Sequence, residues 1–336
     1  MTGREQEPRA PAIAADNAVV VFRTLKSGVR GRLVRLGATL DGILARHTLP
    51  DAASEALGEA VGLVALLGSA LPSQGGKIIL QTRTDGAVSL LVADCEASGR
   101  LRGYARYDAG RLAVLSEGGD KLDAGAVLGD GDLAITIDQG DAPERYQSIV
   151  ALDGAPLTIA ACSYFENREG LPTFLKLAVA RHYVNARTGA DGGPDAAQWH
   201  WRAGGLMMQS MASTADGGAS DTVEDWTRVR LLSSTVEDHE LLDPSLPPEA
   251  LLLRLFHEEG VVIERVLPLS NTCSCSRDKV LSVLASFGTK DVEDMRGDDG
   301  RILVTCEFCA ARYDFAIHEI GESPDQSSPA RSAVKA

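Results

Sequence analysis

Hydrophobic and polar residues alternate in short runs through the first two thirds of the chain, and this period of two predicts β-strands. The runs Lys77 to Thr84 and Ala87 to Ala93 flank Asp85-Gly86, a dipeptide that favours a tight hairpin because it tolerates positive φ. Further strands are predicted at Val19–Phe22, Val29–Leu36, Leu101–Tyr107, Asp132–Asp138, Arg145–Val150, Thr173–Arg181 and Gly204–Met211.

Helical spacing of three and four residues interrupts these runs. It places Leu40, Ile43 and Leu44 on one side of a short helix, predicts a long helix from Asp51 to Leu71, and predicts another from Leu157 to about Arg168. The pattern predicts an α+β fold: a mixed core domain with an antiparallel sheet and packed helices, then a helical linker and a small C-terminal metal-binding domain.

Residues 222–259 are helical in pattern, with one apolar stripe on otherwise charged helices. Short helices of this kind are marginal alone and take their stability from what they pack against. The stripe is therefore a candidate surface that is hidden in one state and exposed in another. Its members are Trp226, Val229, Leu252, Leu255 and Phe256.

Changes in composition divide the chain into five segments. Residues 185–203 are rich in Gly and Asp and are predicted to be a loop inserted into the core domain. The predicted segments are a disordered leader (1–17), the core domain (18–212), a metastable helical linker (213–269), a four-cysteine switch domain (270–320) and a disordered tail (321–336).

Charge and hydropathy exclude several classes of protein. The net charge is −14, which disfavours nucleic-acid binding, and residues 271–320 hold six Lys/Arg against nine Asp/Glu. The leader lacks the apolar segment of a signal peptide, and the longest apolar run, 60–71, is too short to cross a bilayer. These features predict a cytoplasmic protein without membrane contact, whose thiols are kept reduced.

Four of the six cysteines form two close pairs near the end of the chain. Cys273 and Cys275 are separated by one residue, Cys306 and Cys309 by two, and residues 276–305 lie between the pairs. Two such pairs are typical of one zinc ion held by four thiolates in a closed structural site. Residues two apart on an extended segment point the same way, so both members of the first pair can face one metal.

Three interpretations of these cysteines stay open on the residues alone. They could form an inert structural zinc site, a zinc site that also senses oxidants, or structural disulfides. A disulfide between Cys273 and Cys275 would close a small strained ring, and strained disulfides are labile and oxidising. The spacing therefore favours the oxidant-sensing zinc site. Cys95 and Cys162 stand outside the pattern.

The chain resembles the redox-regulated 33 kDa chaperonin family of bacterial heat-shock holdases over about residues 18 to 320. The resemblance rests on Cys273-Ser-Cys275-Ser-Arg277 with Cys306-Glu-Phe-Cys309, and on Tyr313-x-Phe315 after them. Earlier segments follow the family's order: Val29-Arg-Gly31, Gly103-Tyr-Ala-Arg106, Glu144-Arg-Tyr-Gln147, Gly204-Gly-Leu206 and Arg254-Leu-Phe-His-Glu-Glu259. The insertion at 185–203, the extended N-terminus and the Ala-rich tail depart from it.

The resemblance implies an ATP-independent holdase and no catalytic residues. In the reduced state Cys273, Cys275, Cys306 and Cys309 would bind one Zn²⁺, and the protein would be inactive. Oxidation would join Cys273 to Cys275 and Cys306 to Cys309, release the zinc and unfold the linker. The active form, often a homodimer, would bind unfolding client proteins and pass them to ATP-dependent foldases.

Two other classes of protein compete with this expectation. The first is an enzyme of the 18–212 domain with a purely structural zinc site, but no nucleophile or acid–base set can be assembled from the sequence. The second is an adaptor that binds a folded partner constitutively. An oxidant would leave either of these unaffected or impaired, whereas it would activate the switch.

Overall fold

The computed structural model describes residues 16–72, 75–117, 122–140, 145–184, 198–210 and 219–320, and the chain divides into two compact units at Thr272/Cys273. The predicted tail, nearly all of the predicted leader and residues 185–197 of the predicted loop lie outside the described residues. No helix in the described part of the chain is long and apolar enough to cross a membrane.

The N-terminal unit contains ten described strands and eight described helices. The strands are Ala18–Thr24 (β1), Arg30–Leu36 (β2), Lys77–Thr84 (β3), Val88–Glu96 (β4), Leu101–Tyr107 (β5), Gly131–Asp138 (β6), Arg145–Ala151 (β7), Thr173–Val184 (β8), Gln198–Gln209 (β9) and Val261–Pro268 (β10). The helices are Ala38–Leu44 (α1), Asp51–Gly68 (α2), Ala109–Ser116 (α3), Ala124–Leu128 (α4), Leu157–Arg168 (α5), Ala219–Ser234 (α6), Asp238–Leu242 (α7) and Pro248–Phe256 (α8).

Two antiparallel five-stranded sheets pack around one central helix. The first sheet has the order β10-β1-β2-β9-β8 and the second has the order β5-β4-β3-β6-β7. Helix α2 contacts strands of both sheets and is buried along most of its length, as expected of a helix that is apolar on all sides. The predicted α+β class with an antiparallel sheet is confirmed.

The first sheet is buried on both faces. Val19, Val21 and Val34 belong to the large core around α2, whereas the alternating residues Val20 and Phe22 belong to a second apolar cluster. Successive residues of a strand point to opposite faces, so this division follows from the period of two. Helices α6, α7 and α8 cover the second face, and the residues that they bury include Leu33, Leu206, Met208, Leu252, Leu255 and Phe256.

The structure differs from the expectation for residues 185–203 and for the end of the long helix. Residues 198–203 are the first half of β9, not loop, and they pair with a β8 that extends to Val184. An aromatic pair spans the two strands here, with the ring centroids of Tyr183 and Trp199 5.0 Å apart. Aromatic cross-strand pairs stabilise antiparallel strands by about 0.2–1 kcal/mol each. Helix α2 ends at Gly68, three residues before the predicted end.

The predicted hairpin of β3 and β4 is present, but its turn differs from the prediction. Neither Asp85 nor Gly86 takes a positive φ. Gly86 is instead needed for a close contact, because a Cβ atom there would lie 2.1 Å from the carbonyl oxygen of Leu128. Helices α3 and α4 lie between β5 and β6, and the carboxylates of Asp108 and Asp123 cap their N-termini.

The C-terminal unit is small and has little apolar core. It contains helices Arg277–Leu284 (α9) and Thr289–Asp294 (α10), the hairpin of Arg301–Thr305 (β11) with Arg312–Ala316 (β12), and a final 3₁₀ turn at Ile317–Glu319. Its buried apolar residues are Leu284, Val292, Ile302 and Phe315.

Gly204 of β9 sets how closely the linker can approach the sheet. A Cβ atom at this position would lie 2.3 Å from the backbone oxygen of Leu241 in α7, so backbone must move to admit it. We expect Gly204→Ala to lower the free energy of unfolding by about 2 kcal/mol and to increase amide hydrogen exchange in α7. Chemical denaturation and hydrogen exchange measured by mass spectrometry check both effects.

Gly110→Ala is the control, because Gly110 lies in the exposed helix α3 and its added Cβ would come no nearer than 3.4 Å to Asp108. Alanine is the better helix former, so this variant should be neutral or slightly more stable. Equal stability for Gly204→Ala and wild type would contradict the assigned contact.

Candidate metal and redox centre

The two cysteine pairs come from different elements of the C-terminal unit. Cys273 and Cys275 lie in the irregular segment between β10 and α9, and Ser276 ends that segment by capping α9, its hydroxyl accepting the N–H of Lys279. Cys306 and Cys309 lie in the turn between β11 and β12. The antiparallel hairpin therefore fixes the position of Cys306 and Cys309, and the start of helix α9 fixes the position of Cys273 and Cys275.

The four sulfur atoms form one cluster. They all lie within 4.8 Å of one another, with the Sγ atoms of Cys273 and Cys306 3.9 Å apart and those of Cys275 and Cys309 3.3 Å apart. Zinc–sulfur bonds of about 2.3 Å in a tetrahedron place the sulfurs about 3.8 Å apart. The donor set and its spacing thus fit one soft divalent cation.

The turn between the strands is closed around the second pair by backbone hydrogen bonds. The N–H of Cys306 donates to the carbonyl of Ala311 at 2.9 Å, and the N–H of Ala310 donates to that of Cys306 at 2.8 Å. Ala310 has a φ of 55°, a conformation that is unfavourable for residues with a Cβ atom. The turn therefore contains one residue with a strained backbone, Ala310, and it places the thiols of Cys306 and Cys309 in the same cluster.

Side chains outside the cysteine motif support the cluster. The hydroxyl of Tyr313 in β12 donates to the Sγ atom of Cys275 at 3.1 Å. Lys279 donates to the carbonyl of Ser274, and Arg277 stacks 4.3 Å above the ring of Phe315. The sequence marked Arg277, Tyr313 and Phe315 only as parts of a family pattern, because their roles depend on how β12 lies against the cysteine segment.

Ionisation of the thiols is uneven when no cation is present. Burial raises the pKa of Cys275, but hydrogen bonds from Tyr313 and from the other thiols outweigh it and lower that pKa to about 7. Burial raises the pKa of Cys309 to about 12 and also raises that of Cys306. Four thiolates this close would repel one another, so full ionisation of the cluster requires a bound cation.

The other two cysteines have a different environment. Cys95 is fully buried, and burial raises its pKa to about 12, with Asp94 and Glu96 adding to the shift. Burial likewise raises the pKa of Cys162 to about 11. Both thiols also lie outside the four-sulfur cluster, so neither is placed to share a metal or a disulfide with its members.

The predicted apolar stripe lies in the N-terminal unit, within the second cluster of the first sheet. Val229, Leu252, Leu255 and Phe256 are buried there and Trp226 is partly buried. The rings of Phe22 and Phe256 are 5.9 Å apart between their centroids, so the stripe packs directly on β1.

Comparison with known proteins gives one consistent result. A model of the Hsp33 protein family matches residues 17–316. The 33 kDa chaperonin of Caulobacter vibrioides is 40% identical over 298 residues, covering 89% of this chain and 94% of that protein. The 33 kDa chaperonin of Ectopseudomonas mendocina is 35% identical over 295 residues, covering 88% of this chain and 90% of that protein.

A solved structure has the same fold. The crystal structure of the 33 kDa chaperonin of Thermotoga maritima superposes with a TM-score of 0.68 and covers 90% of this chain and 96% of that one. Sequence identity in this pair is 21%, so this comparison supports the architecture alone.

The contact between Tyr313 and Cys275 makes a prediction about metal affinity. Removing the hydroxyl with Tyr313→Phe deletes a hydrogen bond to a sulfur of the cluster but leaves the ring in place. Loss of such supporting bonds typically weakens metal binding by about 10-fold or more. Competition with a chromogenic chelator under reducing conditions measures the zinc affinity.

Tyr183→Phe serves as the control for this measurement, because Tyr183 is an exposed residue of β8. It should bind zinc like the wild type. Unchanged affinity in Tyr313→Phe would show that the hydroxyl does not act on the cluster.

Proposed function

The chain belongs to the Hsp33 family, and we propose that its four C-terminal cysteines switch it between an inactive reduced state and an active oxidised state. It is a redox-regulated chaperone with a C-terminal four-cysteine site, and its family is one of chaperones, not enzymes. The finer proposal is that Cys273, Cys275, Cys306 and Cys309 bind one Zn²⁺ when reduced and that oxidation unfolds the C-terminal unit.

The main support for this proposal is the small number of buried apolar residues in the C-terminal unit. Only four apolar residues are buried among its described residues 273–320. Domains of this size usually need a metal or disulfides to fold. A structural zinc ion contributes on the order of 10 kcal/mol or more, which equals the whole stability of a typical domain. Losing the thiolate ligands should therefore unfold the unit.

Oxidation removes those ligands in a balanced reaction. Each disulfide forms when two thiols lose two electrons and two protons, which reduce one molecule of H₂O₂ to two of water. We propose the pairs Cys273–Cys275 and Cys306–Cys309, which membership of the Hsp33 family implies. The tight ring of the first pair makes it readily reducible, which suits a reversible switch.

We propose that the docked linker helices hide the client-binding surface. In the structure α6, α7 and α8 bury one face of the first sheet. Leaving the sheet would expose the helix stripe of Trp226, Val229, Leu252, Leu255 and Phe256. It would also expose the sheet residues under the stripe, which include Val20, Phe22, Leu33 and Met208. An apolar area of this extent suits binding to unfolding proteins.

One buried arginine holds the linker to the sheet. Arg35 of β2 is 2% exposed, and its guanidinium donates to the carbonyls of Glu240, Asp243 and Leu246. These three acceptors follow one another around the end of α7 and the approach to α8. The docked state therefore depends on one polar contact in addition to apolar packing.

The remaining parts of the proposal rest on family membership. We propose that the protein works in the cytoplasm, where thiols are kept reduced until an oxidant appears. We also propose that the oxidised form binds unfolding client proteins as a homodimer and transfers them to ATP-dependent foldases. Analytical ultracentrifugation of the reduced and oxidised protein tests the dimer.

The switch predicts that zinc release and chaperone activity appear together. Reduced protein should hold about one zinc per chain and leave the aggregation of a denatured client unaffected. Peroxide should release the zinc and suppress aggregation, and reductant should reverse both. Cys306→Ser should bind zinc weakly and suppress aggregation without peroxide, because the unit lacks a ligand in either state. A zinc-sensitive dye and light scattering measure the two quantities.

Cys162→Ser is the control, since Cys162 lies outside the cluster and burial raises the pKa of its thiol. It should behave like the wild type. Zinc that stays bound in peroxide, with aggregation unchanged in both states, would instead indicate an inert structural site. A constitutive adaptor would also give that result.

The contacts of Arg35 make a prediction about the linker. Arg35→Met leaves three carbonyls without their donor, which should weaken docking by about 3 kcal/mol. Hydrogen exchange in 238–256 should then rise in the reduced protein, and part of the chaperone activity should appear without oxidant. In the wild type, the same rise in residues 222–259 should require peroxide.

Arg254→Met is the matched control, because Arg254 belongs to the same linker but donates to linker groups, the carboxylate of Glu240 and the carbonyl of Thr235, and not to the sheet. This variant removes no contact between the linker and the sheet, so it should stay docked and inactive when reduced. Equal protection of 222–259 in reduced and oxidised wild type would refute the proposed exposure of the linker.

A further inference from the structure

A cavity of about 410 Å³ lies inside the N-terminal unit, between the two sheets. Its walls come from β2 and β9 of the first sheet, from β3, β6 and β7 of the second, and from the end of α2 and helix α5. The inner wall is apolar and buried, with Leu67, Ile78, Ile135 and Met207. Exposed residues such as Ala70 and Glu169 line the outer part, so the cavity has a mouth. This size is typical of small-molecule sites.

One charged group, Arg32, breaks the apolar inner wall. It is 6% exposed, and its Nη1 atom donates to the Oε1 atom of Gln209 at 2.7 Å. Its Nε atom is buried and has no hydrogen-bond partner, and no carboxylate lies within salt-bridge distance of it in the described part of the chain. A buried charge and a buried donor without partners both cost stability.

The charges around Arg32 do not neutralise it. Burial lowers the pKa of Arg32 to about 10, with the positive charges of Arg30 and Arg265 adding to the shift. Glu264 acts in the opposite direction, but it already forms an ion pair with Arg23 at 3.3 Å. Arg32 therefore remains a cation at neutral pH in a region with an excess of positive charge.

A largely apolar wall and one guanidinium without a carboxylate partner define the chemistry of a fitting ligand. The guanidinium matches a carboxylate, which accepts hydrogen bonds in its plane and would satisfy the free Nε atom. The buried wall matches a hydrocarbon chain. A second negative charge is disfavoured because the carboxylate of Glu169 stands at the mouth, where it accepts the hydroxyl hydrogen of Tyr164 at 2.7 Å. The ligand should therefore carry a single charge.

We propose that this cavity is a binding site for a medium-chain carboxylate of the fatty-acid class, with the carboxylate at Arg32 and the hydrocarbon along Leu67, Ile78, Ile135 and Met207. The site is distinct from the cysteine cluster, which lies in the other unit, and from the apolar face under the linker helices, which is the opposite face of the first sheet. Binding is expected in the reduced, zinc-loaded protein.

Calorimetric titration of the full-length reduced protein with octanoate tests the proposal. We expect saturable binding of one octanoate per chain, and binding of 1-octanol that is at least about tenfold weaker, because the alcohol lacks the charge that pairs with Arg32. Hydrogen exchange with and without octanoate should place the protection on β3, β6 and the end of α2.

Three variants test whether octanoate binds in this cavity or elsewhere on the protein. Arg32→Gln should weaken octanoate binding about tenfold or more, whereas Arg111→Gln, which removes a charge from the exposed helix α3, should leave it unchanged. Ala70→Trp changes an exposed lining residue without touching the core, and its indole should fill the mouth and reduce binding.

Three results would overturn the proposal. The first is equal affinity for octanoate and 1-octanol, which would make the cavity merely apolar. The second is unchanged octanoate binding in a folded Arg32→Gln or in Ala70→Trp, which would place the ligand elsewhere. The third is the absence of saturable binding to the wild type.

Discussion

Four sulfur atoms within 4.8 Å of one another cannot all be ionised without a cation, and the behaviour of the C-terminal unit depends on that constraint. A bound divalent cation would offset two of the four negative charges and would join the segment before α9 to the hairpin of β11 and β12. Without it, the apolar core of the unit consists of four buried residues, Leu284, Val292, Ile302 and Phe315, and the partly buried side chains around them. The thiols that would bind the metal are the same groups that an oxidant would consume, so in the proposed mechanism sensing and unfolding are one event.

The surface that this event is proposed to uncover follows from how the first sheet is built. A sheet with one solvent-facing side would show polar residues at every second position, but the first five of the seven residues of β1 are all apolar. Something must therefore cover its second face, and short helices of the linker do so. Covering a sheet with helices that are marginal alone gives a docked state that is stable yet close to release.

Sequence alone could predict much of this architecture, because its main signals are local. The cysteine spacing identified the cluster, the alternation of residues identified most strands, and the apolar stripe from Trp226 to Phe256 identified the linker helices. Features that depend on distant partners were missed. Residues 198–203 looked like loop because their pairing partner is the end of β8, and Gly86 looked like a turn residue although it is needed for contact with Leu128.

The two buried arginines of β2 show most clearly what sequence cannot reveal. Arg32 and Arg35 stand three residues apart and so point to opposite faces of one strand. A pattern-based prediction would place both in solvent, where arginines usually lie. Arg35 reaches three carbonyls of the linker, so its burial is explained by what it holds. Arg32 bonds to one acceptor, the amide oxygen of Gln209, and lines the cavity. The Nε atoms of both arginines are buried without a partner, so the two differ in their other acceptors: three carbonyls for Arg35 and one amide oxygen for Arg32. The smaller number of acceptors for Arg32 points to a ligand from outside the chain.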